Sequence, residues 1–543
     1  MVGNLTNKIS FFLKRGYLLN PDILKVIDES LFERLGGQFE SGDKPVVLTK
    51  DIKKILEKKG FKFNANWNDF EKARVDYEKG EDSEVYLTFL EVSDHNLPNV
   101  VGEDNIQERE ENVVTEETSE NGASMPIVLK NYCDKGAKVD VSSFVAYYKI
   151  RYNYLRKVLQ TRNGLSGVLS INRLGNKRKG EKISTMGIVY SKETTKNGHV
   201  VLELEDVTGM VKVLIMKTKD DLYNDGIDVV CDEVIGITGV VGDKIIFADK
   251  IFFPEFPKSN NIKKGGVEEY AAFISDVHVG SDVFLEDNFL KFINWMNGNY
   301  GNKEQREKGS KVKYLFVVGD LVDGVGVYPG QESNLKINDI TAQYNRLAEL
   351  FSMIRKDIQI IACPGDHDAL RLAEPQPYLD KSIAESVWNL GNVTLVTNPS
   401  LVNVGATKNF GGFNVLLYHG RSFSYFIDVL DSVREAGGYD GIDYLLKLLL
   451  KKRHLAPSHE STLTVIDKEE DAMLIEEVPD FFAVGHIHRC KVEQHGVTTL
   501  ISGSCWQPLT DYQEKLGHNP EPARVPIVNL ESREVSVMKF IDD

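Results

Sequence analysis

The chain is poor in cysteine: five in 543 residues, at 133, 231, 363, 490 and 505, with no C-x-x-C pair. That argues against a disulfide framework or a zinc ribbon, and for a reducing compartment, the cytoplasm. No run of about 18 apolar residues occurs, so no membrane-spanning helix is expected. Near the start, ISFFL and YLL are short and broken by Lys14 and Arg15, so no secretory signal is expected either. Net positive charge is also missing. The formal charge is −16, so the overall field does not attract polyanions. A nucleic-acid substrate would have to be held by local basic clusters, by metal ions or by a more basic partner.

The length suggests three or four domains. Residues 1–65 read as a small helical module: Asn20-Pro21-Asp22 starts one amphipathic run, and Thr49 caps a second that ends at Gly60. Residues 66–100 give no firm pattern. Residues 101–127 lack aromatics and are rich in acid, the composition of a disordered tether. A helical, basic connector follows at 128–182. Its helix 143–160 mixes aromatics with Lys149, Arg151, Arg156 and Lys157, for which core packing is favoured over nucleic-acid contact. Its basic run 172–182 reads as a solvated loop. From 183 to 256 short alternating runs separated by turn residues indicate a five-stranded OB-fold barrel. Few aromatics lie on these strands, so DNA contact and a structural interface stay open. The linker 257–268 then leads into an α/β domain, 269–543.

The chemistry gathers at the ends of apolar strands in that last domain. Asp276 and His278 follow Ala271–Ile274, and two-residue spacing in extended chain puts both side chains on one side. Asp320 follows YLFVV; Asp366, His367 and Asp368 follow IQIIAC; His419 follows VLLY; His486 and His488 follow FFAV. Ligands of α/β sheets bind at carboxyl ends of strands. Three Asp (276, 320, 366) and four His (278, 419, 486, 488) suit two divalent ions about 3.5–4 Å apart, one carboxylate bridging. A donor set of imidazole and carboxylate without thiolate favours Mn²⁺, with Mg²⁺, Fe and Zn open. Gly319, Gly365, Gly420 and Gly485 fit tight turns beside such ions.

The order D-x-H, G-D-x-x-D, G-D-H-D, H-G, G-H-x-H resembles the calcineurin-like metallophosphoesterase superfamily. The HGRS, KKRHLAP and CPGDHDALR segments, with an OB-fold upstream, look like the small subunit of archaeal family D DNA polymerase. The resemblance implies a multidomain chain whose catalytic part is a two-sheet sandwich flanked by helices. It implies a 3′–5′ proofreading exonuclease acting on single-stranded 3′ ends of DNA, a large polymerase subunit as heterodimer partner, and the sliding clamp as a further candidate. Carried over by motif, Asp276, His278 and His488 hold one ion. Asp366, His419 and His486 hold the other, and Asp320 bridges. His367 faces the phosphate as an acid that donates to the leaving 3′ oxygen or stabilises the transition state, Asp323 or else Asp368 orients His367, and Arg421 contacts phosphate. KKRHLAP offers a surface along a DNA strand, and Leu445–Leu450 is apolar nearly all round, so it is buried in this chain or against a partner. Asp366 departs from the usual Asn and adds negative charge. The alternatives are a catalytically weak scaffold subunit, which would have lost metal ligands, and another DNA-repair phosphodiesterase.

Overall fold

The computed structural model describes residues 17–19, 46–48, 124–133, 139–257, 259, 261–510, 513–514 and 519–541. The chain divides into two units, 1–116 and 117–543. In the first, two short parallel strands are described, Tyr17–Leu19 and Val46–Leu48. The helices expected over 1–65, the unassigned 66–100 and most of the acidic segment 101–127 lie outside the described residues.

The second unit centres on two six-stranded sheets, the sandwich that the motif order implies. One sheet has the order Val393–Leu395, Gln359–Cys363, Val312–Val318, Tyr270–Ile274, Arg524–Asn529, Val535–Lys539. Its first four strands are parallel and its last two antiparallel. The other runs Lys491–His495, Thr498–Ser502, Phe481–Val484, Phe410–Tyr418, Ser400–Thr407, Ile127–Lys130. There Phe410–Tyr418, Phe481–Val484 and Thr498–Ser502 are parallel. The strands YAAFI, QIIAC and FFAV are buried at every position. Parallel strands covered on both faces need such unbroken apolar runs.

Alternate residues of each strand serve different layers. Phe273, Phe316, Ile361, Val415, Leu417 and Phe481 fill the space between the sheets. Ala272, Ile274, Leu315 and Val317 face the other way, under helices Glu286–Met296 and Ile340–Ser352. Helix Ile442–Lys452 covers the second sheet, so Leu445–Leu450 is buried within this chain. The parallel strands of each sheet end together, which brings five ligand-bearing turns to one place.

Between Ile127–Lys130 and the rest of the sandwich, the chain forms helix Val141–Gln160 and a closed barrel. The barrel order is Lys182–Thr194, Val200–Asp206, Gly209–Ile215, Ile245–Phe252, Val234–Val241 and back to the first strand. Only Gly209–Ile215 and Ile245–Phe252 pair in parallel, and helix Asp220–Ile227 lies between the third and fourth strands in sequence. This is the OB order 1-2-3-5-4-1.

A buried polar node fastens barrel, helix and sandwich together. Asp471, fully buried, accepts hydrogen bonds from Tyr147 Oη at 2.9 Å, Arg151 Nε at 2.8 Å and His454 Nε2 at 2.9 Å. Arg151 also donates to the Pro457 and Asp232 carbonyls. Beside it, Lys452 Nζ donates to Glu233 and to the Asp228 carbonyl, and the Arg453 guanidinium lies 3.8 Å from the Phe256 ring centroid. KKRHLAP therefore does not lie along a DNA strand. Lys452, Arg453 and His454 are buried: Lys452 pairs with Glu233 of the barrel, His454 with Asp471, and Arg453 lies over the Phe256 ring. Burial of such groups is tolerated only when they are paired in this way.

Two outcomes are expected of this node. Arg151→Met leaves Asp471 short of its guanidinium partner and should cost about 3–5 kcal/mol in denaturant unfolding. Burial, then the charge of Arg151, pushes His454 down from 6.5 to about 4 despite Asp471. Between those values the unfolded chain binds a proton that the native His454 refuses. Stability of wild type relative to His454→Gln should thus fall as pH drops from about 6.5 to about 4. Asp471 sits well below its usual 3.8, because His454 and Arg151 outweigh its burial, and stays ionised across that window.

Candidate metal centre

Five of the seven expected ligands sit in turns that hold them in strained backbone. Asp276, His278, Asp320, His486 and His488 all have φ between 49° and 69°. Side chains other than Gly seldom adopt this left-handed region, and clustered strain of this kind marks functional sites. Main-chain bonds brace the turns: Asp276 N–H donates to the Gly319 carbonyl at 3.0 Å and His278 N–H to the Asp320 carbonyl at 3.1 Å. Two glycines are fixed by the same crowding. A Cβ on Gly319 would lie 2.1 Å from His419 Nδ1, and one on Gly365 would lie 2.2 Å from Asp320 Oδ1.

All seven expected ligands converge. His488 Nε2 lies 3.2 Å from Asp276 Oδ1 and 3.2 Å from His278 Nε2. His419 Nε2 and His486 Nδ1 lie 2.9 and 3.1 Å from Asp366 Oδ1. Asp320 joins the two groups. Its Oδ1 accepts the His367 N–H at 2.9 Å, while Oδ2 lies 3.8 Å from His278 Nε2 and 3.4 Å from His419 Nε2. The four ligand clusters Asp276–His278–His488, Asp366–His419–His486, Asp276–Asp320–His419 and His278–Asp320–His367 each bring their donor atoms within 4.8 Å of one another.

The donors fit divalent ions by their tautomers as well as by their positions. His419 Nδ1 faces the Val318 carbonyl at 3.0 Å, an acceptor only, so that nitrogen carries hydrogen. Its Nε2 then turns a lone pair toward the oxygens of Asp320 and Asp366. Likewise His278 Nδ1 donates to Asp323 Oδ1 at 3.1 Å and leaves Nε2 free. Lone pairs aimed at carboxylate oxygens need a cation between them, either a proton or a metal ion. Burial pushes His419 down, but Asp320 and Asp366 hold it well above 6.5. Burial also pushes His488 down, and Cys505 and Asp276 raise it.

Asp323 and His367 are in contact, but not as expected. His367 Nδ1 is held by the Asp323 main-chain carbonyl at 2.8 Å, whereas the Asp323 carboxylate orients His278 and accepts from Gln331 Nε2. Nor does Asp368 reach His367. It accepts from the N–H groups of Leu321 and Gly365 and from Tyr344 Oη, tying the Asp320 turn to the Asp366 turn. Burial and the nearby Asp320 push Asp368 up to about 7. Arg421, expected at phosphate, stands with Nη1 3.3 Å from Asp366 Oδ2. Asp366, His367, His486 and Arg421 are part-exposed, so the centre opens on their side.

Sequence reasoning missed the residues behind the ligands. Gln331 and Gln343, both fully buried, brace the turn after Asp323, and Gln513 Nε2 lies 2.9 Å from His488 Nδ1. Gln343 carried a usable signal, since it adjoins Tyr344 at the edge of the apolar face Tyr344, Leu347, Ala348 and Phe351. Gln331 and Gln513 carried none.

A family model described as calcineurin-like phosphoesterase matches residues 271–490. A DNA polymerase II small subunit of Methanothermobacter thermautotrophicus is 38% identical over 404 residues, 74% of this chain and 80% of that one. One from Pyrococcus furiosus is 36% identical over 424 residues, 77% of this chain and 66% of that one. A solved structure described as a novel archaeal phosphodiesterase aligns with TM-score 0.24 and 14% identity, over 50% of this chain and 98% of that one, a likeness too loose to carry weight. No helix among the described residues is long and apolar enough to cross a membrane.

Because His419 and His488 hold protons in the ion-free centre, metal and proton should compete. Mn²⁺ affinity is expected to fall as pH is lowered from 7.5 to 6. The calorimetric heat of Mn²⁺ binding should scale with the ionisation enthalpy of the buffer, and a buffer-independent heat would contradict this.

Proposed function

This chain belongs to the small-subunit family of archaeal family D DNA polymerase, also called DNA polymerase II, and from that premise we propose that it is the proofreading 3′–5′ exonuclease of a two-subunit polymerase. Its partner in this reading is a large catalytic subunit, its substrate a single-stranded DNA 3′ end, and its cofactors two divalent ions, Mn²⁺ or Mg²⁺. One observation carries the reading: seven ligand-capable side chains from five turns meet, with one oxygen of Asp320 facing both halves. A scaffold that kept only the fold would have no reason to keep five strained residues, in three turns, around these donors.

Asp276, His278 and His488 hold one ion in this reading, Asp366, His419 and His486 the other, and Asp320 contributes to both. Bound divalent ions supply Lewis acidity to the scissile phosphoryl group and to the attacking water. The chain's own residues supply the rest. His367 lies on the open side, its ring edge-on to His278 with centroids 4.7 Å apart. Its Nδ1 hydrogen is engaged by the Asp323 carbonyl, which leaves Nε2 as the nitrogen available to substrate. Without ions, burial lowers its pKa and Asp320, Asp366 and Asp323 raise it above 6.5; in this reading Nε2 carries the proton that is donated. That proton passes to the 3′ oxygen as the P–O bond to it breaks, and a nucleoside 5′-monophosphate departs. Asp323 is a positioning residue here, through its carbonyl on His367 and its carboxylate on His278.

The test is degradation of 3′- and 5′-labelled single strands with Mn²⁺, by the chain alone and with its large subunit. Shortening from the 3′ end with mononucleotide release is expected, and Asp320→Ala should abolish it. His367→Ala should retain Mn²⁺ and lose roughly 10²–10⁴-fold in turnover. Turnover within a few-fold of wild type in that variant, with Mn²⁺ bound, would remove the acid role.

A further inference from the structure

We propose that Arg421 balances the charge of Asp366 in the second half of the centre, and that it does not serve as a clamp for substrate phosphate. The inference rests on Asp366 being a metal ligand, as read above. The Asp366 carboxylate is used in two directions. Oδ1 points inward, 2.9 Å from His419 Nε2 and 3.1 Å from His486 Nδ1. Oδ2 points outward, 3.3 Å from Arg421 Nη1. Asp276 and Asp320 meet only imidazoles and backbone N–H groups in this cluster. Among the described residues, Asp366 alone of the three meets a guanidinium.

Local sequence fixes Arg421 in this place. It follows ligand His419 by two residues, across Gly420 at φ 122°, and precedes helix Phe423–Val429. The turn is pinned from below: Ser422 Oγ donates to the Leu455 carbonyl and Ser422 N–H to Tyr418 Oη. The turn that presents His419 to the ions therefore also presents Arg421 to Asp366.

The electrostatic consequence has a definite sign. Arg keeps its charge at any working pH, so the Asp366–Arg421 pair is formally neutral. A guanidinium on one oxygen draws electron density from the carboxylate and repels an ion held at the other oxygen. The pair then gives the ion a carbonyl-like oxygen, weakly bound and strongly acidic toward phosphate, where an unpaired carboxylate would hold it tighter and blunt it. Arg421 is 28% exposed, so solvent screens the effect to roughly five- to tenfold in affinity. A phosphate clamp would instead leave ion affinity alone.

Isothermal titration with Mn²⁺ at pH 7.5, on the full chain, separates these cases. The proteins are wild type, Arg421→Gln, Arg421→Lys, Asp366→Asn and the double variant Arg421→Gln/Asp366→Asn. Arg421→Gln should bind one of the two ions roughly five- to tenfold tighter, and Arg421→Lys should match wild type within about twofold. Asp366→Asn, which sets an amide against the guanidinium, should bind that ion more weakly. The double variant, neutral again, should return toward wild type. Unchanged or weaker Mn²⁺ binding by Arg421→Gln overturns the proposal, and unchanged binding with a raised KM for DNA would make Arg421 a phosphate contact. If wild type itself binds no Mn²⁺, the metal-centre reading fails first and separately.

Discussion

The centre depends on one carboxylate that belongs to both of its halves. Asp320 Oδ1 is pinned by the His367 N–H, so Oδ2 has no choice but to face His278 on one side and His419 on the other. The two histidines come from different sheets and from different halves of the centre, and Asp320 Oδ2 faces both. Burial pushes the Asp320 carboxyl up, but His419 and the other imidazoles overcome it and hold the group ionised. Three carboxylates packed this closely repel one another, and the imidazoles around them offset that repulsion. A divalent cation would offset it in the same way, which is why these turns suit a metal centre.

The rest of the second unit keeps those turns still. Parallel strands buried on both faces deliver the turns to one edge, and Asp368 clasps the Asp320 turn to the Asp366 turn. Further out, the Asp471 node locks helix Val141–Gln160, a barrel loop and the 454–471 segment into one body. The barrel is therefore fastened to the sandwich through desolvated ion pairs and hydrogen bonds. Such a contact cannot slide without leaving buried charges unpaired.

Much of this was legible in the sequence, for physical reasons. Strands buried on both faces must be apolar throughout, so YLFVV and FFAV announced themselves, and the polar residue after each run had to lie at a strand end. The convergence of the side chains from Asp276 to His488 followed from that rule. The barrel followed from alternation and turn residues. What the sequence hid was direction. Nothing in KKRHLAP told an exposed basic strip from a buried dock, because Glu233, the acid that meets Lys452, lies 219 residues away in the barrel. The Asp323 side chain was expected on His367 and its carbonyl is there instead, since side-chain and main-chain oxygens of one residue are indistinguishable in a motif. Arg421 read as a phosphate contact for the same reason: its partner, Asp366, is fifty-five residues away in sequence.

The most direct test of the account is anomalous diffraction from crystals of the chain grown with Mn²⁺. Two ions about 3.5–4 Å apart are predicted, both coordinated by Asp320, one completed by Asp276, His278 and His488 and the other by Asp366, His419 and His486. A single ion, or two ions with Asp320 bound to only one of them, would contradict it.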